Sequence, residues 1–245
     1  MKKIISLLLV LVMLSLSLIS CEIIEESIQK EMEKVSNKID EVIYGYDDIV
    51  ASSDNFEITF SMMSYFWHYY FNIWYGNNYD DILSGCIEFD VMKPLSEQYV
   101  DQSNTQTYYD YFLLGAKDMV IEYLKCCEAA LDDSEINYEE FEAKVQKTTD
   151  EQMFIVKKQL VFTNASLDTY ISQYYGKYVN EKNLYKALII ENSVKYYCEI
   201  MYQRIKDDSG VDDEALAIKK YEEWLDSLSY SVSFDDSRSF EYFGE

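Results

Sequence analysis

The chain has 245 residues but a single proline, Pro94, a single histidine, His68, and only seven glycines. Folds built from many tight turns draw on Gly and Pro at each reversal, so this scarcity weighs against a two-lobed α/β solute-binding architecture. One histidine leaves a Ser-His-Asp triad a single possible base, and no nucleophile motif surrounds any serine. A zinc-binding His-Glu-x-x-His is impossible, and no Cys-x-x-Cys spacing occurs. Two acidic runs also fail as calcium loops. From Asp133, Tyr138 stands where the loop needs glycine and Lys144 where it needs glutamate; from Asp208, Lys219 stands at the last position. No metal or other cofactor is expected, and no enzyme. Basic side chains are scarce as well: 21 Lys and Arg face 45 Asp and Glu, for a net charge of −24. That balance opposes binding to nucleic-acid phosphates or docking on an anionic bilayer by charge. In so acidic a chain, neighbouring carboxylates such as Glu139, Glu140 and Glu142 read as a solvated helix face rather than an acid–base pair.

What is present begins at the N-terminus. Lys2 and Lys3 precede an apolar run, Ile4 to Ile19, interrupted only by serines. It falls short of the roughly 18–20 residues of a confident membrane span and fits a secretory signal. The run ends in Leu18-Ile19-Ser20-Cys21, which resembles the lipobox of bacterial lipoproteins, a small residue followed by the cysteine that takes the lipid. The resemblance covers the first 21 residues alone. It implies a diacylglycerol thioether at Cys21, cleavage between Ser20 and Cys21, and a mature protein held on the bacterial cell envelope, on its periplasmic or extracellular side. Residues 1–20 then form a signal peptide and residues 21–245 one lipid-anchored domain. Loss of Lys2 and Lys3 leaves 19 basic residues against 45 acids, a net side-chain charge of −26.

Within that domain, apolar residues recur at spacings of three and four. Ile28, Met32, Val35, Ile39, Val42 and Tyr46 make one stripe. A second helix is expected over 56–75 and another over 104–132, with Leu113, Val120, Leu124, Cys127 and Leu131 opposite Asp110, Lys117, Glu122 and Lys125. Asn137 followed by Glu140 is an N-cap arrangement, and nothing between Tyr138 and Tyr175 reads as a break, so one helix nearly 60 Å long is expected there at about 1.5 Å per residue. Gly176 suits a C-terminal cap, and Asn180 starts a helix with the stripe Ala187, Ile190, Val194, Tyr197, Met201 and Ile205. A last helix follows Ser209-Gly210. The fold class is therefore all-α, an antiparallel bundle of five or six helices. Ile87 to Val91 and Leu228 to Phe234 alternate with period two instead; the second could pair with Ser239 to Phe243 as a small C-terminal β-hairpin, or fray.

The stretch YFWHYYFNIWY, residues 65–75, is the one place that invites a ligand. Read as a helix, it carries Phe60, Met63, Trp67, Tyr70, Phe71 and Trp74 on an apolar stripe. His68 lies on the other side with Ser61, Ser64, Tyr65, Asn72 and Tyr75. Aromatic faces with convergent hydroxyls suit sugars or flat molecules, making Tyr65, His68, Asn72 and Tyr75 the candidate ligand-binding set. The alternative is a helix that packs its core on one face and hydrates its hydroxyls and imidazole on the other. After Cys21, four cysteines remain: Cys86, Cys126, Cys127 and Cys198. Buried thiols, one interhelical disulfide, and a metal or redox site are the three readings; Cys126 and Cys127 sit about 100° apart on a helix and do not easily pair with each other. The sequence thus describes a lipid-anchored envelope protein, partnered by the membrane through Cys21, that binds protein through its acidic helices. A saccharide-type receptor at residues 60–75 is the alternative, and an enzyme of unknown class a further one.

Overall fold

A computed structural model describes residues 45–101, 103, 105–160, 166–209 and 214–235. The lipobox, the stripe from Ile28 to Val42 and the returning strand of the C-terminal hairpin lie outside these residues. Tyr46, the last member of that stripe, sits in a turn closed by Asp48 N–H to the Gly45 carbonyl, 3.1 Å. The chain divides into two units: among the described residues, 73–89 form one and the rest the other.

The larger unit opens with β1 (Ile49–Ser52) and β2 (Glu57–Thr59), which pair antiparallel, Ala51 opposite Ile58, with a bulge between Ile49 and Ala51. A third strand, β3 (Ser233–Phe234), pairs with the other edge of β1, so the sheet order is β2-β1-β3. The alternation ending at Phe234 thus serves as a strand, but its partner is β1. Residues 57–59, expected as the first turn of a helix, are strand; α1 runs from Phe60 to Asn77. Asn183 ties sheet to bundle. Its side chain accepts from the Thr59 hydroxyl at 3.2 Å and donates to Asp47 at 3.0 Å, and it is fully buried. Glu128, also buried, accepts from the backbone and side-chain amides of Asn55, both at 2.8 Å, and so fixes the β1–β2 turn. A buried carboxylate is tolerated only with such partners.

The fold is mostly helical, with seven helices among the described residues and this small sheet. After α1 and α2 (Tyr79–Leu83) comes α3 (Tyr108–Asp132), begun by Thr107, whose hydroxyl accepts from the Asp110 N–H at 3.1 Å. Next, α4 (Tyr138–Gln159) starts as expected at Asn137, which accepts from the Glu140 N–H. It does not continue to Tyr175. A separate α5 (Leu167–Tyr175) begins at Ser166, whose hydroxyl takes the Thr169 N–H at 3.2 Å, one of the orphan donors of a helix start. Gly176 ends it at φ +123°, a conformation that strains any residue with a Cβ. Asn180 then accepts from the Asn183 N–H at 2.9 Å and starts α6 (Glu181–Ser209), followed by α7 (Glu214–Ser227). The helix α6 is the hub, packed against α3, α4, α5 and α7. Its Asn192 donates to the Thr149 hydroxyl and to Gln152 of α4, a polar pair within the interface.

Residues 87–91 form no strand. In the larger unit, the Gln98 side chain accepts from the Asp90 N–H and donates to the Asp90 and Lys93 carbonyls, all at 2.8 Å, taking up backbone groups that a strand would leave for a neighbour. In the smaller unit, Gly85 at φ +76° turns the chain after α2, and the Trp74 and Phe89 rings meet edge to face at 5.2 Å. No described helix is long and apolar enough to cross a membrane.

Candidate functional site

The first eight residues of α1, Phe60 to Trp67, are all buried, Ser61 and Ser64 included. The expected division into a core face and a hydrated face therefore fails over this part of the helix. The physical reason lies in the neighbours: α3 covers one side of α1 with Tyr109, Phe112 and Tyr123, while α5 and α6 cover the other with Tyr175 and Glu191. A helix enclosed on all sides carries no solvent stripe.

The candidate ligand residues part company. Tyr65 is buried and donates its hydroxyl to Glu191 Oε2 at 2.5 Å. Its ring lies near parallel to those of Tyr69 and Tyr175, centroids 5.9 and 6.5 Å away. Tyr69 and Tyr123 share a hydrogen bond. Burial, then the Glu191 charge, raises the Tyr65 hydroxyl well above the usual phenol range, and burial pushes Tyr175 up to about 12. Burial likewise raises the Glu191 carboxyl, opposed by the Tyr65 hydrogen bond and Lys195. His68 is half-buried, its imidazole hydrogen-bonded to the backbone of Tyr174 and its ring 6.5 Å from that of Phe71. Burial drives its pKa down to about 4, so His68 does not titrate as a free surface imidazole. Asn72 is exposed. Tyr75 belongs to the smaller unit, where its ring meets Tyr79 at 5.8 Å and Phe89 at 6.2 Å.

The partner that sequence reasoning missed is Glu191. One signal was available: an acid directly after Ala187-Leu188-Ile189-Ile190, inside the most apolar stretch of its helix. Within the cluster of Tyr65, Tyr69, Tyr123, Tyr175 and Glu191, the Tyr65–Glu191 and Tyr69–Tyr123 hydrogen bonds pair polar groups with one another, which suits a rigid, specified core.

A pH dependence follows from His68. Its folded pKa lies below the unfolded value of 6.5, so unfolding takes up a proton between the two. Stability is full above pH 6.5, falls as the pH drops through that window, and loses at most about 3 kcal/mol once both states are protonated. Glu191 acts in the opposite direction, since a raised carboxyl pKa favours the fold on acidification. Urea midpoints of wild type and Glu191→Gln between pH 7 and 4 check this: the variant is expected to lose more stability on acidification than wild type, and an equal or smaller loss would show that Glu191 does not oppose His68.

The surface offers something different. Along the outer side of α4, Phe154 is 57% exposed and Ile155 53%. Phe154 lies in two adjoining open grooves. One runs along α4 past Ala143, Lys147 and Glu151; the other, about 880 Å³, lies between α4 and the first turns of α5 and α6 and is edged by Lys157, Asp168, Lys182 and Lys186. The Lys158 ammonium sits 4.6 Å over the Phe154 ring. Charges of both signs thus surround an apolar centre.

Compared with protein-family models, with curated proteins and with solved structures, the chain matches none.

Proposed function

We propose that this is a lipid-anchored protein of a bacterial envelope surface that works by binding another protein rather than by catalysis. The observation that carries this reading is the outer side of α4, where Phe154 stands more than half exposed among charges of both signs, beside the equally exposed Ile155. Aromatic anchors in a groove with a charged rim are what protein interfaces use at their centres. The partner it fits is an envelope protein presenting an apolar side chain flanked by both charges. Tyr65 and His68, which a saccharide receptor would need free, are instead engaged by Glu191 and the Tyr174 backbone. The anchor at Cys21 confines the search for that partner to the membrane surface.

The test is a photo-crosslinking amino acid placed at position 154 in cells that make the protein, with the exposed position 223 as control. Position 154 is expected to yield an adduct of discrete mass that the control lacks. Equal labelling at both positions, or a small molecule carried through purification and seen by native mass spectrometry, would overturn the proposal.

A further inference from the structure

Cys126 of α3 and Cys198 of α6 lie on helices packed against each other, and both are free thiols in hydrogen-bonding contact. Cys126 is buried and Cys198 half-buried. The Tyr221 hydroxyl, from α7, also bonds to Cys198. Cys127, one residue on, is buried with its thiol raised by burial and by Glu128, and Cys86 is exposed in the smaller unit. The expectation that the thiols of the 104–132 helix are buried holds for both of them, but one of the two also has a partner across the helix interface.

We propose that Cys126 and Cys198 close into an interhelical disulfide, with Cys198 the thiol that reacts first and Tyr221 the hydroxyl that supports it. Three features support the order. Cys198 is the more exposed of the pair, so a small oxidant reaches it. The hydrogen bond from Cys126, opposed by burial and assisted by Tyr221, holds Cys198 below the usual thiol range. The same contact and burial hold Cys126 well above it, so Cys126 keeps its proton while Cys198 is the nucleophile.

The oxidant is a low-molecular-weight disulfide. The Cys198 thiolate attacks one of its sulfurs, forming a mixed disulfide and expelling a thiolate. With the Cys198 charge gone, the thiol of Cys126 loses the larger of the two influences that kept it protonated. It gives its proton to the expelled thiolate and attacks the Cys198 sulfur, releasing the second small thiolate. The second small thiolate takes back from solvent the proton that Cys198 released on ionising, so that in sum two protein thiols become one disulfide and one small disulfide becomes two small thiols. The product joins α3 to α6 beneath α7, cross-linking helices far apart in sequence.

The test treats the reduced full chain with oxidised glutathione. Apart from any glutathione taken up by the exposed Cys86, the expected product has lost two free thiols and about 2 Da, and proteolysis recovers the peptide containing Cys126 linked to that containing Cys198. Because Cys127 shares the first peptide, Cys127→Ala should still close, Cys126→Ala should stop at one glutathione on Cys198, and Cys198→Ala should leave Cys126 unmodified. The closed wild type is also expected to melt roughly 5–10 °C above the reduced form. A link through Cys86 or Cys127, a stable mixed disulfide on Cys198 in wild type, or no reaction at all would overturn the proposal; a link through Cys127 is told from one through Cys126 by fragmenting the shared wild-type peptide, so none of these outcomes depends on a variant folding.

Discussion

Replacing Cys21 by Ala is expected to abolish incorporation of labelled fatty acid and to leave an uncleaved precursor. The chemistry allows no substitute at this position: thioether formation needs a thiolate, and alanine offers no atom to take the lipid. The expected consequence is large. One acyl chain alone gives only marginal, reversible membrane binding, but the two or three chains that a lipobox cysteine implies would hold the protein there essentially permanently. Without them, the acidic surface gives no compensating attraction to an anionic bilayer. Metabolic labelling and gel mobility of wild type and variant, side by side, check the assignment. Equal label in both would remove the anchor and, with it, the envelope placement.

Phe112→Ala is expected to lower the stability of the fold by about 3–5 kcal/mol, the range for emptying a fully packed aromatic site. Phe112 is fully buried. Its ring lies 5.1 Å from Phe71 and 6.1 Å from Trp67, both edge to face, and 5.8 Å from Tyr108, stacked. The first two contacts join α1 to α3, so the cavity opens where two helices meet and neither can relax without disturbing the other. Urea unfolding should show the lower midpoint with an unchanged slope. The same measurement on Phe154→Ala should move little, within about 0.5 kcal/mol, since that ring stands in solvent. If both changes cost the same small amount, less than about 1 kcal/mol, the aromatic core described here is wrong.

The helix ends were readable in the sequence where the signal was local. Asn137 with Glu140, Asn180, and Gly176 each act within a few residues of themselves, and each caps as expected. Ser166 caps in the same manner but went unread, because the apolar run Leu160-Val161-Phe162 before it resembles a continuing helix. The sheet was illegible for a different reason. Ile49 to Ser52 is four residues long, and what makes it a strand is Phe234 on one side and Ile58 on the other. Strand identity of that kind comes from pairing rather than from propensity. Residues 87–91 show the converse, an alternation with no partner and no strand. At the candidate site, the sequence located the aromatic helix and its one histidine. It did not supply Glu191, Tyr123 or Tyr175, which arrive from three other helices through tertiary packing.

The central claim is that the buried start of α1, Phe60 to Trp67, with His68 at its edge, carries a filled core rather than a ligand site, so that binding falls to the outer surface. His68 reports on this directly, because it is the chain's sole histidine and its imidazole gives an unambiguous signal in a proton NMR titration. The account predicts a neutral ring at pH 6 that titrates near 4, where burial places it, and whose shift does not change when saccharides or extract components are added. A ring that titrates near 6.5 and moves on addition of a small molecule would contradict it, and would return Tyr65 and His68 to the role of a binding site.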